Sequence, residues 1–377
     1  MTPDRLRTVD FDYQLPPELI AQEPLPERAA SRLLVVLRND RREGPAERRK
    51  VARPGAAIRR IQLSGTKTAI GRSTVVDSVF TELPPLIPAG DLLVLNTTKV
   101  RHARLSGSRP SGAPAEVLLI HPGSEGTWVA LGKPGTALRP GKRIALGKDA
   151  WVETVEVLAD GNRLVRFIGV SAEDAITRYG QLPLPPYITR APTDVDETRY
   201  QTVYARLEGS VAAPTAGLHF TPALLDGLSA AGVIVAGLDL EIGPGTFKPV
   251  EADDPAGHVM HSEYYTISSR LAALVERVRE DGGRVWAVGT TVVRALESAA
   301  RDDGTLIPGT RQTSLMITPG FSFQVVDRLL TNFHLPRSTL LMLVSAFAGR
   351  ELTMAAYRHA VAQRYRFYSY GDAMVIV

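Results

Sequence analysis

The apolar positions of this chain come in two textures. Short, nearly unbroken runs, Ser31-Arg-Leu-Leu-Val-Val-Leu37 and Leu92-Leu-Val-Leu-Asn96, read as buried strands. Between about 100 and 170 the runs shorten and are split by Gly/Pro turns: Glu116 to Ile120, Thr127 to Leu131, Arg143 to Leu146, Trp151 to Val157, Arg163 to Phe167. Strands at that spacing predict a small β-barrel. A helix is expected near 172–179, followed by the proline-rich crossing Leu182-Pro-Leu-Pro-Pro-Tyr-Ile188.

After residue 200 the period changes to an alternation of helices and strands. Pro222 to Ala231 reads as a helix stopped by Gly232, and Val233 to Leu240 as a strand. Ser268 to Glu280 carries apolar residues at 271, 274, 275 and 278, the spacing of an amphipathic helix. Val285 to Val288 is a predicted strand and Val292 to Ala300 a predicted helix. The expected architecture is a layered α/β domain, residues 1–90 and 173–377, interrupted by a β-barrel domain at 91–172. There is no internal repeat and no heptad pattern.

Composition narrows the chemistry. The chain has 377 residues, 44% of them hydrophobic, enough for a sizeable core, and no cysteine, which removes disulfides, thiolate nucleophiles and thiolate metal sites. No window has the ~18 unbroken apolar residues of a membrane span. The N-terminal residues lack the apolar stretch of a signal peptide, so a cytoplasmic protein is expected. The net charge of +4 is uneven. Between Arg38 and Ser73 eleven Lys/Arg stand against three Asp/Glu, a net of +8, which leaves −4 for the rest. That segment reads as an inserted loop, either merely solvated or an arm for a phosphate backbone.

Several strings bring reactive groups together. Gly209-Ser-Val-Ala-Ala-Pro-Thr215-Ala-Gly217-Leu-His219 is a run of small residues ending in an imidazole. Thr221-Pro222 then reads as a helix start, which would put His219 beside N–H groups able to hold an anion. Glu241-Ile-Gly243-Pro-Gly245-Thr246-Phe247 is a tight glycine turn, open either to close approach of a ligand or to plain turn duty. It fits neither the Walker nor the dinucleotide pattern. His258-Val-Met-His261-Ser-Glu263 has no standard zinc spacing, so acid–base work, or simply exposed histidines, is expected rather than metal ligation. Thr290 and Thr291, ahead of Arg294, open a helix after a glycine turn and suit a carboxylate unless one merely caps the helix. Asn332 and His334, and Tyr368 with Asp372, complete the polar candidates; the last two would bracket a purine, or serve only as packing at the edge of the core.

Ten strings, in order from about residue 10 to 377, carry a resemblance to a known family. They are FDYQLPPELIAQEPLPERAASRLL, GDLLVLNTTKVRHARL, LPLPPYI, YQTVYA, GSVAAPTAGLHFTPALL, GPGTFKPV, HVMHSEYY, AVGTTVVRALESAA, TNFHLPRSTLLMLVSAFAG and YRFYSYGDAM. The chain resembles the S-adenosylmethionine:tRNA ribosyltransferase-isomerases of queuosine biosynthesis.

The resemblance implies transfer and rearrangement of the ribosyl part of S-adenosylmethionine onto 7-aminomethyl-7-deazaguanine in tRNA. Epoxyqueuosine forms, and adenine and methionine leave. It implies no metal and no cofactor, S-adenosylmethionine being a substrate, with tRNA as partner, no membrane, and a monomer. A base must take a proton from the ribose carbon next to sulfur, so His219, His258, His261 and His334 are the catalytic candidates. The expected binding set is Asn96, Thr98, Lys99, Thr215, Gly217, Glu241, Gly243, Gly245, Thr246, Phe247, Glu263, Thr290, Thr291, Arg294, Asn332, Tyr368 and Asp372. This sequence departs from the family at Lys99, usually Arg, at Glu241, usually His, and in the basic insert. Those departures leave open a relative acting on a free 7-deazapurine or another RNA, or a noncatalytic RNA-binding relative.

Overall fold

A computed structural model describes residues 6–38, 64–247 and 250–377. Ten strands form one mixed sheet. From one edge they are Gly309–Thr313, Glu263–Ile267, Ile234–Leu240, Leu92–Asn96 and Val285–Val288. The order continues through Arg328–Asn332, Ala373–Ile376, Arg32–Leu37, Ser73–Val79 and Lys67–Ile70. The four central strands, from Ile234–Leu240 to Arg328–Asn332, run parallel.

Their unbroken apolar character follows from burial on both faces. Leu34, Val94, Ala287 and Leu329 pack into one core, while their neighbours Leu33, Leu93, Trp286 and Leu330 pack into another across the sheet. The helices Ser269–Glu280, Thr290–Ala299 and Thr339–Ala348 contribute buried residues to the first core, and Pro222–Ala230 covers the second.

Seven further strands form a separate antiparallel sheet. The order is Gly180–Gln181, Arg104–Ser108, Pro114–Pro122, Trp128–Lys133, Arg163–Ile168, Trp151–Val157 and Arg143–Ala145. The last strand returns to Arg104–Ser108 through the pairing of Ser108 with Ala145. This sheet has its own core around Leu105, Val117, Ile144, Val152 and Val165.

The structure corrects three expectations. Leu92–Asn96 is a central strand of the large sheet, so the boundary expected at 91 moves toward Arg104. The insert expected at 38–73 contains the edge strand Lys67–Ile70, which pairs with Ser73–Val79, and is therefore not all loop; positions 39–63 lie outside the described residues. The helix expected from Val292 begins at Thr290, because Gly289, at φ 93°, turns the chain directly into it.

Candidate active site

The central parallel strands end on one side of the sheet, and a cleft opens where they stop, the usual ligand position in such sheets. After Val288, Gly289 donates its N–H to the carbonyl of Leu330 at 2.7 Å. Helix Thr290–Ala299 then starts with no side chain capping it. The reading in which one threonine caps this helix therefore falls. Thr290 and Thr291 line the cleft instead. The Thr291 hydroxyl is buried and has no hydrogen-bond partner among the described residues. The helix dipole adds positive potential at the same point.

Strand Arg328–Asn332 delivers the second wall. His334 lines the cleft and is 8% exposed, with Nε2 2.8 Å from the Thr331 hydroxyl. Its backbone is pinned on both sides: its N–H donates to the Tyr357 hydroxyl at 3.1 Å, and its carbonyl accepts from Tyr13 at 2.5 Å. Burial pulls the imidazole down to about 3, so it is neutral at physiological pH. Asn332, also in the lining, donates to the Tyr368 carbonyl at 3.0 Å, while its own side-chain oxygen has no partner among the described residues.

The third wall is the turn 366–372. Asp372 accepts the backbone N–H of Arg366 at 2.8 Å and of Arg32 at 2.9 Å. Its carboxylate thus clamps the turn and is absent from the cleft lining. Tyr368 does line the cleft. Its ring stands 4.4 Å from that of Tyr187, whose hydroxyl is 2.5 Å from Ser369.

His219 lies behind this lining. Its Nδ1 is 2.8 Å from the Ser31 hydroxyl, its Nε2 accepts from Asn332 at 3.2 Å, and its ring stacks on Phe80 at 5.0 Å. Burial, then the nearby Arg28 and Arg199, pull it down to about 3. The anion site expected beside it is filled by the protein itself, because Thr221 caps helix Pro222–Ala230 with its own hydroxyl, 3.1 Å from Leu224 N.

Other expected residues are dispersed. Thr215 lines the cleft, whereas Gly217 lies against the Tyr204 hydroxyl, where a Cβ would collide. Half-buried His258 and His261 are outside the lining, and the His261 ring packs on Gly245. Glu263 forms a buried ion pair with Arg294 and accepts the Gly243 N–H at 3.0 Å, tying the glycine turn to helix Thr290–Ala299. Thr246 and Phe247 close the 3-10 turn Pro244–Phe247.

Asn96 pins the neighbouring strand, exchanging bonds with Leu240 at 3.0 and 3.1 Å. Thr98 meets Ser210 at 2.7 Å. Thr98 and Glu241 line a separate hollow with Glu208 and Asp239, and Lys99 pairs with Glu208 at 2.7 Å. Burial pushes Glu241 up, opposed by Arg101.

The lining also includes Tyr187, Thr331, Ser338 and Ser369, none of them marked as a site residue by the sequence pattern. Tyr187 was visible only as part of a proline-rich crossing. The hydroxyl residues lay beside chosen positions, with nothing in their spacing to mark them.

The model for the queuosine biosynthesis protein family matches residues 8–58 and 63–376. The chain belongs to the queuosine biosynthesis protein family. It is 51% identical over 367 residues to the S-adenosylmethionine:tRNA ribosyltransferase-isomerase of Cupriavidus pinatubonensis, spanning 97% of this chain and 98% of that one. It is 49% identical to the enzyme of the same name from Symbiobacterium thermophilum, over 99% of this chain and all of that one. A crystal structure of S-adenosylmethionine tRNA ribosyltransferase from Thermotoga maritima, 35% identical, aligns with a TM-score of 0.52 over 98% of this chain and 100% of the other.

Proposed function

We propose that this member of the family transfers and isomerises the ribosyl group of S-adenosylmethionine onto 7-aminomethyl-7-deazaguanine in tRNA. The products are epoxyqueuosine-tRNA, adenine and methionine. The near-complete match to relatives named for this reaction supports it. The observation that carries the site is that only His334, of the four candidate histidines, lines the cleft at the strand ends.

In this reading His334 is the base that takes the proton from the ribose carbon beside the sulfonium. A base must be neutral to accept a proton, and burial keeps this imidazole so. Its depressed value also makes it a weak base; a methionine carboxylate bound nearby would raise it again. The first N–H groups of helix Thr290–Ala299, with the unpartnered Thr291 hydroxyl, supply donors for that carboxylate. Loss of the proton lets the ribose ring open and expel adenine. Ring opening leaves a vinyl sulfonium and an aldehyde; the substrate amine adds to the vinyl group and loses a proton, the carbanion re-formed beside sulfur adds to the aldehyde, and the resulting alkoxide displaces methionine to close the epoxide.

The finer expectations belong to the same proposal: the strand ring around residues 104–168 closes as a small inserted barrel, no cofactor takes part, and the enzyme works as a cytoplasmic monomer. The decisive experiment incubates purified protein with S-adenosylmethionine and tRNA carrying 7-aminomethyl-7-deazaguanine. Adenine release that requires tRNA supports the reading. Release with the free base alone would reassign the acceptor, and no release would leave an RNA-binding relative.

A further inference from the structure

On the function proposed above the cleft receives a permanent cation, yet among the described residues none that lines it is an aspartate, glutamate, lysine or arginine. Its walls are hydroxyls, small apolar residues, one neutral imidazole and three aromatic rings, Tyr187, Phe333 and Tyr368. Aromatic faces attract cations through their quadrupole, most strongly where water is excluded. Tyr368 stands out among them for three reasons. Its backbone is at φ 71°, a left-handed conformation that costs a bulky residue free energy. Its hydroxyl is buried without a partner among the described residues, and the residue is only 6% exposed. And the surrounding bonds over-determine its position: its N–H donates to Phe333 at 3.2 Å, and its carbonyl accepts from Asn332 at 3.0 Å and from Gly371 N at 2.9 Å. Strain held in place this way is characteristic of ligand-contacting groups.

We propose that the Tyr368–Tyr187 pair is the sulfonium receptor of the cleft, recognising S-adenosylmethionine by its charge through ring faces and the free Tyr368 oxygen. This rests on the function proposed above and assigns the residues that select the charged donor. Burial pushes both phenols up, so they remain neutral. Neutral recognition suits the chemistry. A carboxylate placed here would offset the positive charge that acidifies the neighbouring carbon, whereas a ring holds the cation without cancelling its pull. The sulfur of the departing methionine is a neutral thioether and loses this attraction, so the same wall that binds the donor lets go of the product.

Calorimetric titration of the full-length protein with S-adenosylmethionine and with its uncharged thioether, S-adenosylhomocysteine, tests the assignment. Wild type should prefer the sulfonium. Tyr368→Leu and Tyr187→Leu should each narrow that preference by about tenfold, the sulfonium losing more affinity than the thioether. Tyr368→Phe should keep most of it, since the ring face remains. Tyr187 has no left-handed backbone, so its variant stays informative if Tyr368→Leu does not fold. An unchanged preference in the folded leucine variants overturns the receptor while leaving the enzyme reading intact. A wild type that binds neither compound overturns both.

Discussion

Asn332 Nδ2 stands 3.2 Å from His219 Nε2, and the same amide nitrogen holds the Tyr368 carbonyl at 3.0 Å. His219 therefore supports the cleft through Asn332, while His334 occupies the lining itself. The two imidazoles, alike in burial and in depressed basicity, should separate by mutation. His334→Ala is expected to lower kcat by about 10²-fold or more with the fold retained. His219→Ala should chiefly lower the melting temperature, because it opens a cavity beside Phe80 and strands Asn332. Steady-state kinetics with thermal unfolding of both variants decides, and equal kcat losses at equal stability would contradict the division of roles.

Thr291→Val removes the unpartnered hydroxyl and keeps the shape. If that hydroxyl meets the donor's carboxylate, KM for S-adenosylmethionine should rise by about tenfold, the scale of a lost bond to a charged group, with kcat little changed. Melting temperature should hold or rise, since the hydroxyl has no protein partner to lose. An unaltered KM would place the carboxylate elsewhere.

The buried Arg294–Glu263 pair makes a prediction about stability. Removing one partner leaves the other charge uncompensated, so Glu263→Gln and Arg294→Met should each cost about 3–5 kcal/mol. The double variant should recover part of that loss. Denaturant titrations measure it, and near-additive single losses would mean that the pair is not coupled.

Acid should destabilise the protein through its buried imidazoles. The folded values near 3 for His219 and His334 lie below the unfolded 6.5, so the unfolded chain binds more protons between those limits. Stability from these groups is full above pH 6.5 and falls as pH drops toward 3. The buried carboxyls of Asp372 and Glu297, whose values burial pushes up, act in the opposite sense. A comparison with His219→Gln isolates one imidazole: the variant's unfolding free energy should fall less steeply across this window, by up to one proton. Parallel slopes for the two proteins would refute it.

Much of the frame was legible because burial leaves a strong local signature. Leu33 to Val36, Leu92 to Leu95 and Val285 to Val288 are apolar on both faces, and each proved a strand of the large sheet. Strands such as Gly309–Thr313, with its exposed polar residues, carry no such signature and were missed. The site was harder, since side-chain chemistry can be read from sequence but the direction a side chain faces cannot. His219 and His334 look equally reactive in the chain, yet one turns toward Ser31 and the other toward the cleft. Asp372 looked available until Arg32 and Arg366 were seen to occupy both of its oxygens. Tyr187 reached the cleft from a distant crossing, a long-range arrangement that no local pattern encodes.

Strand Ala373–Ile376 lies between Arg328–Asn332 and Arg32–Leu37, joining the two halves of the large sheet. A ribosome makes this seam after both of its neighbours. Until it slides in, the strand that carries Asn332 and the strand that anchors Asp372 have no shared edge. A chain cut short before residue 373 lacks the one strand that bonds these two neighbours together.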